Sequence, residues 1–153
     1  MIKAGSNHRL SLAALDMNSH VHGALLIKIQ DRYVPYLGYW GMNDVCFSDW
    51  IGALENIYRE FSHQETGSYI FDEGEPGQPA FLFEKAGDTV WLSIVDSQLS
   101  GGEADEDWQR MAFSYSEFVA QHEKFCEQFV SELKRAAPST ADQWIEKYLP
   151  RAG

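Results

Sequence analysis

The stretch Ala80-Phe81-Leu82-Phe83-Glu84-Lys85-Ala86-Gly87-Asp88-Thr89-Val90-Trp91-Leu92-Ser93-Ile94-Val95 decides the fold. Two runs rich in aromatic and β-branched residues, Ala80 to Glu84 and Thr89 to Val95, flank the connection Lys85-Ala86-Gly87-Asp88. Such residues pack well on a pleated, half-buried surface. Gly87 offers the positive φ that a tight connection needs. The reading is a β-hairpin, and therefore antiparallel pairing at the centre of the chain.

The elements on either side extend this sheet. Gly67 to Phe71 reads as the strand before the hairpin and Trp108 to Phe113 as the strand after it. Upstream, Trp50, Leu54, Ile57, Tyr58 and Phe61 recur at three- and four-residue spacing, which predicts a helix with one apolar stripe. Its start is placed near Ser48, whose hydroxyl can accept from the free amides of the first turn. Asp49 complements the positive end of the helix dipole. Further upstream, Gly23 to Gln30 alternates, with Leu25, Ile27 and Ile29 on one face. A turn at Asp31-Arg32 leads to a strand over Tyr33 to Tyr39, where Pro35 cannot donate to a ladder and implies an edge or a bend. Leu10 to Asp16 is a weakly alternating first strand.

Downstream, Ser114 and Glu117 have capping-box spacing, and Phe118, His122, Phe125, Phe129 and Leu133 form the stripe of a long helix. Pro138 stops it. Ser139 with Asp142 begins a final helix carrying Trp144, Ile145, Tyr148 and Leu149, ended by Pro150. The order is strands, helix, strands, helices, without βαβ alternation. It predicts a single α+β domain over residues 1–153: an antiparallel sheet of about six to seven strands, with one central helix and two C-terminal helices packed on it.

Composition agrees with one cored domain, since 153 residues with 44% hydrophobic and 14% aromatic content can bury a real interior. No run approaches the ~20 apolar residues of a membrane span. Leu10 to Leu15 is too short for a secretory signal and Asp16 ends it. Cys46 and Cys126 are far apart with no CxxC spacing, so both are expected to be reduced and buried, in a cytoplasmic protein.

The formal charge of −11 is concentrated. Between Glu60 and Glu117 there are 13 acidic residues and two bases, Lys85 and Arg110, while acids and bases balance elsewhere. That field repels nucleic acid and anionic membranes and attracts a basic partner. The alternative is a solvated face kept acidic for solubility.

Catalytic signatures are missing. There is no G-x-S-x-G elbow, no catalytic cysteine signature and no Gly-rich phosphate loop. Gly74 and Gly77 around Glu75-Pro76, and Gly101-Gly102, read as turns beside acids that would repel a phosphate. His20 and His22 would share a strand face, yet no third ligand stands at a recognisable spacing, so no metal or other cofactor is expected. His122 lies on an apolar stripe, where a satisfied core histidine is expected.

What remains is two dense acidic loops, Asp72-Glu73-Gly74-Glu75 and Glu103-Ala104-Asp105-Glu106-Asp107. Neither matches a calcium-binding EF-hand pattern, and nothing sets two carboxylates at a catalytic separation. They are either solvated loops or a docking surface for a basic protein, with Trp108 beside them as an aromatic anchor.

Phe81-Leu82-Phe83-Glu84, Gly87-Asp88, Val90-Trp91-Leu92-Ser93-Ile94-Val95-Asp96-Ser97 and Phe113-Ser114-Tyr115-Ser116-Glu117-Phe118 resemble small acidic bacterial proteins, some of which serve as immunity proteins of polymorphic or contact-dependent toxin systems. The resemblance covers Ala80 to Leu133, about a third of the chain, mostly at strand, turn and cap positions. It implies a non-enzymatic protein that blocks a cognate toxin. The partner-binding residues expected are Asp72, Glu73, Glu75, Glu103, Asp105, Glu106, Asp107 and Trp108. The competing expectation is a small-molecule pocket between sheet and helices, lined by Trp50, Trp91 and Phe125.

Overall fold

The computed structural model describes residues 2–4, 22–38, 41 and 44–150. β1 (Ile2–Ala4), β2 (His22–Gly23), β3 (Leu25–Ile29), β4 (Arg32–Tyr33) and β5 (Val45–Cys46) precede α1 (Phe47–Phe61). β6 (Thr66–Phe71), β7 (Ala80–Ala86), β8 (Thr89–Val95) and β9 (Met111–Ser114) follow, then α2 (Tyr115–Ala136) and α3 (Pro138–Tyr148). The class is α+β, and every strand pairing is antiparallel.

The expected single sheet of six to seven strands is instead divided. β6-β7-β8-β9 form a four-stranded meander, while the N-terminal strands make separate pieces in the orders β1-β3-β4 and β2-β5. The cause is backbone geometry. Gln30 and Asp31 turn at φ 51° and 63°, β4 lasts two residues, and Tyr36 after Pro35 has φ 64°. A strand from Tyr33 to Tyr39 cannot survive that bend. β3 reaches the edge of β9 through a side chain, with Gln30 Nε2 donating to the Ala112 carbonyl at 2.9 Å. Leu10 to Asp16, His20, Tyr39 and Trp40 lie outside the described residues.

The central hairpin forms as read, with a tighter connection. Ala86 pairs with Thr89, leaving Gly87 and Asp88 as the loop, and Gly87 takes φ 60°. The register sets Phe81 opposite Ile94, Phe83 opposite Leu92 and Lys85 opposite Val90. All six are buried and share the inner face. α1 lies across that face: the Trp50 ring meets Phe81 at 4.9 Å and Phe71 at 4.7 Å, both edge-on. α2 packs on α1 through Phe47 and Phe129, 5.3 Å apart, and α3 joins through Trp144, 5.3 Å from Phe129.

Three boundaries shift. α1 begins at Phe47, with Cys46 at the N-cap position but no side-chain capping hydrogen bond from it; Ser48 is inside the first turn, buried, its hydroxyl without a hydrogen-bond partner. The last strand starts at Met111 rather than Trp108, because a turn closed by the Trp108 amide on the Asp105 carbonyl and Arg110 at φ 50° precede it. Pro138 both ends α2 and occupies the first turn of α3, where its missing amide costs nothing. The Ser114 cap is present: its Oγ accepts from the Glu117 amide at 3.2 Å and donates to Asp88 at 2.7 Å. Hydrogen bonds from Ser114 and Ser116 hold the Asp88 carboxyl below its usual 3.8, and they fasten the hairpin loop to the start of α2. Among the described residues no helix is long and apolar enough to cross a membrane.

Candidate functional site

In a four-stranded meander the β6–β7 and β8–β9 connections leave from the same end of the sheet. Those connections are the two acidic loops, so carboxylates about 30 positions apart in sequence converge there. The loops are also joined. Ser97 Oγ donates to the Asp72 carboxylate at 2.8 Å, and Ser100 Oγ donates to the Gln78 carbonyl. The Ser97 amide closes on the Gly102 carbonyl at 2.8 Å.

Within the second loop Ser97 Oγ ties the first turn, accepting from the Ser100 amide at 2.9 Å, and carboxylates tie the two that follow. Asp96 accepts from the Ala104 amide at 2.7 Å, and Asp105 accepts from the Asp107 amide at 2.9 Å. Short acidic side chains that bond nearby amides in this way preorganise turns. Gly74, Gly77 and Gly101 take φ of 73°, 81° and 75°, in keeping with their reading as turn residues.

The sequence-selected residues divide by exposure. Glu103, Glu106 and Asp107 are exposed; Asp72, Glu73, Glu75 and Asp105 are half-buried. Asp72 is bound to Ser97 and to the Gly74 amide, so its role within the protein is to hold the loops together. Trp108 is 4% exposed, packed beneath the loop with the Arg32 guanidinium 4.7 Å over its ring. The same Arg32 donates to the Asp107 carbonyl at 3.2 Å.

Two exposed apolar side chains that sequence reasoning did not select stand at this end. Tyr36 is 45% exposed, and its hydroxyl is pushed up first by desolvation and then by a hydrogen bond to Asp105 and the charges of Asp105 and Asp107. Leu99 is 72% exposed, beside Gly74. Tyr36 lies in the segment expected to be a strand, and its positive φ, invisible in sequence, breaks that strand where the side chain is exposed.

The other candidates fall elsewhere. His22 is exposed on β2 and sits 3.2 Å from Asp44. Cys46 and Cys126 are buried and unbridged, and desolvation pushes the Cys46 thiol up to about 12. Trp91 lies on the outer face of the sheet under Arg110, 4.5 Å away, and Phe125 packs inside against Phe129 at 6.0 Å. Trp50 does line a cavity of about 420 Å³, partly open to solvent, between β3, β9, α1 and the start of α2.

Comparison with family models, curated protein sequences and solved structures finds no match to this chain.

The loop joint has a steric test. A Cβ on Gly102 would lie 2.2 Å from the Gln78 carbonyl oxygen and 2.6 Å from the Pro79 nitrogen, both backbone atoms that cannot swing away. Gly102→Ala is therefore expected to push the loops apart and to cost roughly 1–3 kcal/mol, as overpacking does. Urea unfolding would check it; a variant as stable as the parent would mean the joint is not tight.

Proposed function

We propose that this chain is a binding protein of immunity type, which neutralises a basic toxin domain by covering it with the acidic end of its sheet. The observation that carries this reading is the convergence of both acidic loops at one sheet end, around the exposed Tyr36 and Leu99. Interfaces commonly pair an apolar or aromatic centre with a polar rim. Here the rim is Glu75, Glu103, Asp105, Glu106 and Asp107. Asp105, whose carboxylate ties its own turn, presents a fixed charge and so loses little freedom on binding. Their field raises the association rate and rejects acidic surfaces. No chemistry is required of the chain in this role.

The test is co-expression with the adjacent reading frame. A neighbour that kills cells alone, and is tolerated in the presence of this chain, supports the reading. With the purified pair, Asp105→Ser/Glu106→Ser/Asp107→Ser is expected to weaken binding at least tenfold while leaving the fold intact by circular dichroism, and 0.5 M salt should slow association by a similar factor. A triple variant that protects as well as the parent would end the acidic-loop mechanism.

A second reading rests on the cavity beneath β3. Its walls include Ile27, Ile29, Leu54, Ile57 and Phe83, with Gln121 among the polar groups, and its volume of about 420 Å³ suits a small apolar ligand. Co-purification of a small molecule together with a harmless neighbouring frame would favour it.

A further inference from the structure

α1 and α2 face each other across a polar cluster that the acidic-loop mechanism does not use. His122 and Cys126 are four residues apart on α2, and so lie on one side of that helix. Glu55 projects towards them from α1. Glu55 Oε1 is 2.7 Å from His122 Nε2, Cys126 Sγ is 3.5 Å from the same nitrogen, and Sγ is 3.9 Å from Oε1. His122 is 0% exposed, Cys126 3% and Glu55 8%. The Phe118 ring stacks on the imidazole at 5.4 Å and 9°, fixing its plane.

Cysteine, histidine and glutamate in contact invite comparison with a nucleophilic triad, but the geometry is wrong for one. A triad places the carboxylate and the nucleophile on opposite nitrogens of the imidazole, so that the ring relays between them. Here carboxylate and sulfur both approach Nε2 most closely, the sulfur being 3.8 Å from Nδ1.

Three ligand atoms gathered round one point describe a metal site instead. We infer that Glu55, His122 and Cys126 bind a zinc-type divalent cation through Oε1, Nε2 and Sγ, clamping α1 to α2. Bonds of about 2.0–2.3 Å at tetrahedral angles set ligand atoms roughly 3.3–3.6 Å apart. The sulfur distances are already close to that range. Only the 2.7 Å contact must widen, because in the metal-free cluster a hydrogen-bonding proton lies between Glu55 and His122 where the cation would sit. On binding, the thiol loses its proton to solvent, and the proton on Nε2 shifts to Nδ1, which leaves the imidazole neutral with Nε2 free to ligate. The metal takes one lone pair each from thiolate, carboxylate and imidazole, and no electron is transferred. Two anionic ligands, one neutral ligand and a dication sum to zero charge, which suits an interior that penalises net charge. Imidazole and thiolate favour zinc and cobalt over magnesium or calcium.

The test uses the full chain stripped with chelator, then titrated with Co²⁺ alone and Zn²⁺ alone. One equivalent of cobalt should produce a thiolate-to-cobalt charge-transfer band and the intense visible bands of four-coordinate cobalt. Zinc at a hundredfold excess over its Kd should raise Tm by roughly 5–10 °C. Cys126→Ser should abolish the charge-transfer band, and Cys46→Ser should keep it. Should Cys126→Ser fail to fold, Glu55→Gln retains the thiol and should weaken zinc binding at least tenfold. A parent protein without a stoichiometric cobalt–thiolate band, or a band that survives Cys126→Ser, overturns the assignment.

Discussion

Trp50→Ala is expected to destabilise the protein by roughly 3–5 kcal/mol, the range for removing a buried tryptophan. Against a total of about 5–15 kcal/mol for a typical domain, that is a large share. The size follows from position. Trp50 is 1% exposed, and its ring is held edge-on by Phe71 and Phe81, one from each of two neighbouring strands. Its indole Nε1 donates to the Leu37 carbonyl at 2.9 Å, so truncation also strands a buried acceptor in the segment that carries Tyr36. The side chain therefore fixes three things at once: α1, the sheet and the loop beside the acidic surface. Trp50→Phe should recover most of the packing but not the hydrogen bond, and fall between parent and alanine variant in urea unfolding. A loss under 1 kcal/mol for the alanine variant would mean that α1 does not rest on this contact.

The second large effect concerns the interhelical cluster. Glu55→Ala is expected to cost roughly 1–3 kcal/mol, because it leaves the buried His122 imidazole without its carboxylate hydrogen-bond partner. Most of that cost is the orphaned imidazole rather than the worth of the pair. Replacing both residues, as in Glu55→Leu/His122→Phe, should therefore restore much of the stability lost in the single variant. Thermal unfolding of the parent, Glu55→Leu, His122→Phe and Glu55→Leu/His122→Phe forms a double-mutant cycle. Additive effects would show that the two side chains are not coupled.

Elements of the sheet and the helices were legible where local chemistry and tertiary packing agree. The β7–β8 hairpin has alternation, β-formers and Gly87 all pointing the same way, and it forms where expected, with its first arm running two residues further, to Ala86. The Ser114 cap was readable because a hydroxyl three residues before Glu117 has little else to do, and it bonds that amide. The division of the sheet was not readable. It depends on positive φ at Gln30, Asp31 and Tyr36; Asp tolerates such an angle in a turn, but Gln and Tyr rarely adopt it. The α1 start was misplaced for a related reason: Ser48 looks like a cap but is buried, so burial overrode capping preference.

At the site, the acidic residues stood out in sequence because charge is countable. Their meeting at one end follows only from the strand order. Trp108 stands beside the acids in sequence, but it is buried under Arg32 and packs, whereas Tyr36 and Leu99 are exposed. Glu55 carried no signal at all. It is one acid on an amphipathic helix, and its importance comes from a residue 67 positions away.

β6 closes one side of the meander, and among the described residues no strand pairs with its outer edge. Its sequence, Thr66 to Phe71, holds no charge, and Ile70 is 53% exposed. An uncharged open edge with a bare isoleucine is a template for edge-to-edge association between molecules. Asp72 and Glu73 follow that strand directly, where like charges on two approaching copies repel. The first acidic loop thus sets charge beside the open edge as well as forming a candidate contact surface. A partner-binding variant confined to Asp105, Glu106 and Asp107 leaves that charge in place, so a loss of binding in it would not be confused with aggregation through β6.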